Sequence, residues 1–209
     1  MNDEPHNHQL SHMGKSHDQE PGYYARRIHA LEMLLVEKGV CTRVEIAALE
    51  QAQNGSKADG ARIVARAWMD PNFKNKLLAD AKAAIWDAGI REIEDIPDLV
   101  VVENKNTLHH LVVCTLCSCY PTMLLGRPPD WYKSLVYRSR AVVDPRGIME
   151  EFGLTLGPEV EVRVLDSTAD VRYLVLPLRP EGTEEFSQNE LAKLVTRDSM
   201  IGVSNPLTK

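Results

Sequence analysis

Of the four cysteines in this 209-residue chain, three fall within six positions: Cys114, Cys117 and Cys119, in the run V-C-T-L-C-S-C-Y from Val113 to Tyr120. Thiols spaced so tightly form a claw for a metal ion. A structural zinc site wants four side-chain ligands in tetrahedral array, commonly as two separated pairs, and with Cys41 alone upstream there is no second pair. The Cys-x-Cys half at 117 and 119 would hold the backbone amides between its two thiolates against any shared metal, so those amide nitrogens become candidate ligands. Deprotonating an amide near neutral pH demands a strongly Lewis-acidic ion, which favours a trivalent transition metal over zinc. Three sulfurs and two backbone nitrogens leave one octahedral position open to water or substrate. A Cys3His zinc site completed by His109 or His110 is the competing reading. Those two histidines alternate faces on a strand, so at most one can point toward the claw.

The elements that must position the claw are legible from periodicity. Leu99 to Glu103 and Leu108 to Val113 are short β-branched runs separated by a polar turn, Asn104 to Thr107, and the second delivers the chain directly into Cys114. The claw is therefore expected on a loop at a strand end, where a metal can face a cleft while its support stays rigid. Upstream the pattern is helical. Ile28, Leu31, Leu34 and Leu35 recur at helical spacing until Gly39; Thr42 with Glu45 forms a capping box for a second helix ending near Asn54 and Gly55; Gly60 to Met69 supplies a third helical stretch. The first two suit an arm-like hairpin. Asp70 and Pro71 open a further helix whose Phe73, Leu77, Leu78, Ala81, Ile85 and Ala88 share one face before Gly89. Downstream, Asp144 and Pro145 start a short helix that stops at Gly153, Val160 to Val164 alternates as a strand, Tyr173 to Leu178 reads as another, and Ser187 with Glu190 caps a last helix to about Thr196. Helices first, then strands bracketed by helices, make an α+β chain.

Bulk properties narrow the function. Lys and Arg number 24 against 30 for Asp and Glu, a net charge of -6, and no basic stripe exists to track a phosphate backbone, which argues against nucleic acid. No apolar run approaches the length needed to cross a bilayer, and the polar N-terminus lacks a signal-peptide apolar stretch, so a soluble, cytoplasmic protein is expected. Cysteines gathered in one cluster do not make a disulfide framework, which agrees with a reducing compartment; Cys41 is expected half buried as a small apolar residue. Residues 1–21 carry His6, His8, His12 and His17 among polar residues and are expected to be a disordered His-rich tail, with metal handling by those histidines a secondary reading. The division expected is this tail, a helical arm over 22–70, and an α+β metal-binding catalytic domain over 71–209.

The motif V-C-T-L-C-S-C-Y resembles the metal-binding motif of nitrile hydratase α subunits in its cobalt-type form, with Thr115 and Tyr120 where the iron-type form has Ser and Thr. The stretches Ala61 to Pro71, Pro128 to Arg140 (P-P-D-W-Y-K-S-L-V-Y-R-S-R), Asp144 to Gly147 and Leu194 to Val203 share the likeness, which covers roughly Tyr24 to Val203. The resemblance implies one low-spin Co(III) per chain, held by the sulfurs of Cys114, Cys117 and Cys119 and the backbone nitrogens of Ser118 and Cys119, with Cys117 a sulfinic and Cys119 a sulfenic acid. It implies hydration of nitriles to amides by activation of the nitrile, by an acidified water, or by the Cys119 sulfenate oxygen. It also implies a four-layer α-β-β-α body with an N-terminal helical arm, a β subunit supplying arginines to the site in an α2β2 assembly, a cobalt-insertion or activator protein, and outer-shell roles for Asp166, Asp170 and Arg172, position 170 being often Glu in the family.

Three local readings stay open beside it. Asp166, Asp170 and Arg172 equally suit an exposed hairpin ion pair; Arg127, Arg138 and Arg140 suit surface or interface pairing as well as a place at the claw; Trp131 and Tyr132 suit pocket, core or subunit interface. The chain departs from the family in having Pro121, Thr122 and Met123 where Pro-Trp-Pro is usual, and Leu165 where a Trp usually precedes the outer-shell Asp. Both changes remove bulk near the expected pocket. The metal-bearing subunit of thiocyanate hydrolase shares the motif and is the alternative, with a non-catalytic cobalt- or zinc-binding subunit behind it.

Overall fold

The computed structural model describes residues 23–47, 57–93 and 97–208, so the His-rich tail and the expected end of the second helix lie outside the described residues. The chain divides into two compact units, Met1–Ala52 and Gln53–Lys209.

In the smaller unit, α1 (Tyr23–Glu37) leaves Ile28, Leu31, Met33, Leu34 and Leu35 between 43% and 60% exposed. Gly39 takes a left-handed φ of 67°, and the Val40 amide reaches back to the Leu35 carbonyl, which satisfies the last turn. The capping box forms as expected: the Thr42 amide donates to the Glu45 carboxylate at 2.7 Å and the Glu45 amide to Thr42 Oγ1 at 3.1 Å. Residues 43–47 are helical, and Arg43, Ile46 and Ala47 line a cleft with His29, Met33 and Val36 of α1. Cys41 is half buried.

In the larger unit, α2 (Lys57–Met69) begins before the Gly60 expected from sequence and buries Ala61, Ile63, Val64, Ala65 and Ala67 on nearly all sides. Gly60 sits inside this helix because a Cβ there would stand 2.6 Å from the Leu124 carbonyl oxygen. The helix expected to run unbroken from Pro71 to Gly89 is two: α3 (Pro71–Ala79) and α4 (Ala81–Asp87). Asp80 breaks them. Its backbone is extended (φ -147°, ψ 91°), its amide closes α3 on the Lys76 carbonyl, and its carboxylate accepts from the Ala83 amide to start α4. Phe73, Leu77, Ala81 and Ile85 are nevertheless buried, as their periodicity required.

Four strands follow: β1 (Asp98–Glu103), β2 (Leu108–Val113), β3 (Glu161–Asp166) and β4 (Val171–Leu176). Consecutive strands do not pair beyond one isolated bridge, Lys105 to Leu108. Instead β1 pairs in parallel with β4 and β2 in parallel with β3, in two two-stranded sheets. Asn104 makes the corner between β1 and β2: its amide extends the first sheet by donating to the Leu176 carbonyl, and its buried side chain holds the histidines of the second. The parallel register sets Val113 opposite Asp166, so both strands of the second sheet end at one level. Leu111, Val113, Leu174 and Leu176 join Val64 and Leu77 in one core, each such side chain contributing about 1.5–3 kcal/mol by burial.

Short helices pack against the strands. Between β2 and β3 lie α5 (Thr122–Leu125), α6 (Asp130–Lys133), α7 (Leu135–Val143) and α8 (Pro145–Glu151), the last capped by Asp144 as expected. After β4 come α9 (Gln188–Leu194) and α10 (Arg197–Ile201). Thr196 is thus the cap of a further helix instead of an end: it and Ser199 form a second capping box after that of Ser187 and Glu190. Among the described residues no helix is long and apolar enough to cross a membrane.

Candidate metal centre

β2 carries the claw out of the core. The Ser167 amide donates to the Val113 carbonyl at 2.7 Å, one step before Cys114, which is itself buried. The loop then rises into solvent, with Leu116 87% exposed and Cys117 exposed, and returns to burial at Cys119. The Cys114 and Cys117 sulfurs lie 3.4 Å apart and the Cys117 and Cys119 sulfurs 3.1 Å, all within 4.8 Å of one another. These spacings test the ion. With metal–sulfur bonds of about 2.3 Å, two cis positions of an octahedron are about 3.2 Å apart and two tetrahedral positions about 3.8 Å, so these two separations fit an octahedral edge. No histidine completes a zinc site: among the described residues the cluster holds the three cysteines alone.

The electrostatics divide the thiols. Cys117 is brought down to about 7, by hydrogen bonds from the Cys119 and Cys114 thiols and then from the Ser118 and Cys119 amides. Cys119 is pushed up to about 12, by burial first and by sharing its proton with Cys117, against the opposing charge of Arg172. Metal binding must expel the remaining protons, so affinity for an ion rises with pH.

β3 and α6 tie the loop down, and α7 holds the strand just ahead of it. Asp166, at the end of β3, accepts the Thr115 amide at 2.9 Å and the Thr115 hydroxyl at 2.5 Å. Tyr132, fully buried on α6, donates its hydroxyl to the Cys119 carbonyl at 2.9 Å, and Tyr137, fully buried on α7, donates to the Val112 carbonyl at 2.7 Å. Of the residues singled out from sequence, then, Asp166 touches the loop directly and Arg172 acts on Cys119 through its charge while donating to the Thr168 carbonyl. Asp170 is exposed and enters the fold through its backbone, its carbonyl accepting the Asp98 amide. β3 and β4 belong to different sheets and make no hairpin, and among the described residues Asp166 bonds Thr115 and Arg172 the Thr168 carbonyl, with no ion pair between them.

His109 and His110 are both buried away from the claw. His109 Nε2 lies 2.8 Å from the Gly202 carbonyl and its Nδ1 3.1 Å from Asn104 Nδ2, while Asn104 Oδ1 takes the amide and Nδ1 of His110. Arg140 pairs with Asp144 and Glu151, Arg127 is exposed, and Arg138 is half buried.

The sequence pattern of the family described as "Nitrile hydratase, alpha chain" matches residues 22–204. The chain belongs to the nitrile hydratase alpha-chain family. It is 51% identical over 186 residues to the low-molecular weight cobalt-containing nitrile hydratase subunit alpha of Rhodococcus rhodochrous, covering 88% of this chain and 89% of that one. It is also 45% identical over 156 residues to the thiocyanate hydrolase subunit gamma of Thiobacillus thioparus, over 70% of this chain and 64% of the other. Among solved structures, a double mutant of the Fe-type nitrile hydratase of Comamonas testosteroni Ni1 superposes with a TM-score of 0.77 at 41% identity, covering 90% of this chain and 92% of that one. Family membership accounts for the claw itself, whereas the residues that brace it are read from geometry. The sequence marks no role for Tyr137, Ser167 or Asn104, and leaves Tyr132 open between pocket, core and subunit interface. The stretch P-P-D-W-Y-K-S-L-V-Y-R-S-R shows buried aromatics, but the carbonyl each hydroxyl meets depends on how α6 and α7 fold over β2.

Proposed function

We propose that this chain is the metal-bearing α subunit of a cobalt nitrile hydratase, adding water across a nitrile C≡N to give an amide. The observation that carries this reading is the three-sulfur loop, spaced for an octahedral edge and open at Cys117, in a chain 51% identical to a cobalt-containing α subunit. Cys114, Cys117 and Cys119 would hold one Co(III) with the backbone nitrogens of Ser118 and Cys119, and a bound trivalent ion would supply the Lewis acidity that makes a nitrile carbon attackable. The chain's own part is to fix that geometry. Asp166 and Thr115 brace one end of the loop, Arg172 offsets negative charge at Cys119, Cys117 faces incoming substrate, and Asp170 serves the outer shell through the strand it precedes. The addition forms a C–O bond, moves the water protons to nitrogen, and requires no net electron transfer.

Oxidation of Cys117 to the sulfinic and Cys119 to the sulfenic acid belongs to the same proposal and suits metal-bound thiolates. The negative oxygens so created need cationic donors. Arg172 offsets part of that charge and Arg140 is already paired, so arginines of a β subunit in an α2β2 assembly are the natural further source, with an activator protein delivering cobalt. The exposed apolar residues of α1 support an arm that wraps this partner, and two sheets with helices packed against their strands support a four-layer α-β-β-α body. A cytoplasmic location follows from the reduced thiols that must meet metal first.

Co-expression with the partner subunit in cobalt-supplemented medium, followed by assay on a simple nitrile and on thiocyanate, tests the reading. Amide formation, stoichiometric cobalt and about three added oxygen atoms on the Cys114 to Cys119 peptide are expected. Turnover of thiocyanate with nitriles untouched would place the chain with the thiocyanate hydrolases, to which its 45% identity also points. Zinc with three unmodified thiols would leave only a structural site.

A further inference from the structure

We propose that Tyr132 is a positioning residue for the metal loop, orienting Cys119 before an ion arrives. This role rests on the claw holding a metal ion, as proposed above. The loop leaves β2 with its first half restrained by backbone pairing at Val113 and by Asp166 at Thr115. Its second half passes through exposed Leu116, Cys117 and Ser118, and the restraint recorded at its far end is the Tyr132 hydroxyl on the Cys119 carbonyl. A buried hydroxyl that donates to nothing is costly, so this bond is favoured once Tyr132 is in place. Tyr132 has no freedom to leave: it is fully buried, its ring meets Tyr120 edge-on at 5.1 Å and tilts against Tyr137 at 5.6 Å, and α6 is pinned by Ser134, whose hydroxyl donates to the Trp131 carbonyl.

Holding the carbonyl of Cys119 fixes the rotation of that residue about its own backbone. Cys119 supplies two of the proposed ligands, its amide nitrogen and its sulfur, so one hydrogen bond aims both. The same bond sets how far Cys119 Sγ stands from Cys117 Sγ, the 3.1 Å edge on which the ion would sit. Tyr137 provides an internal comparison. It is equally buried and also donates to a carbonyl, but that carbonyl is Val112, within the strand and ahead of the loop.

The test compares Tyr132→Phe and Tyr137→Phe in the complex with the partner subunit, measuring cobalt per α subunit, retention of cobalt against a chelator, and the sulfur-to-metal absorption band. Tyr132→Phe is expected to retain cobalt about 10-fold less well, as for lost second-shell partners of metal ligands, and to shift the band. Tyr137→Phe is expected to lower the melting temperature while leaving cobalt and band as in the wild type. Should Tyr132→Phe fail to assemble, 3-fluorotyrosine at 132 keeps the ring's bulk and strengthens the donor, and a band shift absent from the same change at 137 is expected. Unchanged cobalt retention and band at 132, or equal losses at 132 and 137, would overturn the proposal. A wild-type complex without cobalt would instead overturn the metal reading itself.

Discussion

Asp166 directs both carboxylate oxygens to Thr115, and through it holds the opening turn of the claw. Substitution by Ala leaves the Thr115 amide and hydroxyl to solvent, a loss of about 1 kcal/mol per bond at a half-exposed site. Asp166→Ala is therefore expected to leave the melting temperature of the complex within a few degrees of wild type while lowering cobalt content and kcat together; metal analysis beside steady-state kinetics would show it, and full cobalt with full kcat would remove Asp166 from the metal's support. At this scale the sequence was unequal in what it revealed. The cysteines announce themselves by type and spacing. Tyr132 does not, because a tyrosine in an aromatic-rich segment has the same signature whether its hydroxyl meets solvent, a substrate or the carbonyl of Cys119.

Between β1 and β2 the element-scale feature is a buried polar knot of Asn104, His109 and His110, closed on the Gly202 carbonyl. Gly202, at φ 91°, lies where any Cβ would collide with the His110 carbonyl, so the turn after α10 is fitted directly onto β2. Burial lowers the pKa of both histidines below the ordinary 6.5; Arg163, His109 and Lys105 add to this at His110, and Glu161 opposes it. The sign follows. Above about pH 6.5 both forms of the chain carry neutral imidazoles; as pH falls below that value the unfolded chain takes up protons that the folded chain resists, so stability declines toward acid. Calorimetry from pH 7 to pH 5 should show the melting temperature falling, with a shallower fall in His109→Gln/His110→Gln; identical slopes would assign the acid sensitivity elsewhere. Element boundaries were legible where caps are local, at Asp70, Asp144 and Ser187. They were not legible at Asp80, where the apolar periodicity continues across a break, or at Thr196, where a new helix begins at the residue expected to end one.

For the whole molecule the division at Ala52 and Gln53 separates a helical hairpin with exposed apolar residues from the body that carries the claw. Each unit holds its own contacts, so a chain lacking residues 1–52 is expected to keep the circular dichroism of the body yet fail to co-elute with the partner subunit on size exclusion; co-elution at wild-type stoichiometry would deny the arm its role. Three cysteines at fixed spacing, helices before strands, and the polar N-terminal stretch were set by the sequence itself, since residue type, periodicity and caps are properties of neighbours along the chain. Pairing β1 with β4 and β2 with β3, and thereby ending β3 beside the claw so that Asp166 reaches Thr115, was decided only by the tertiary structure. Strand partners far apart in sequence are chosen by how the buried faces of the whole body fit together, and no local pattern around Cys114 records which strand will arrive beside it.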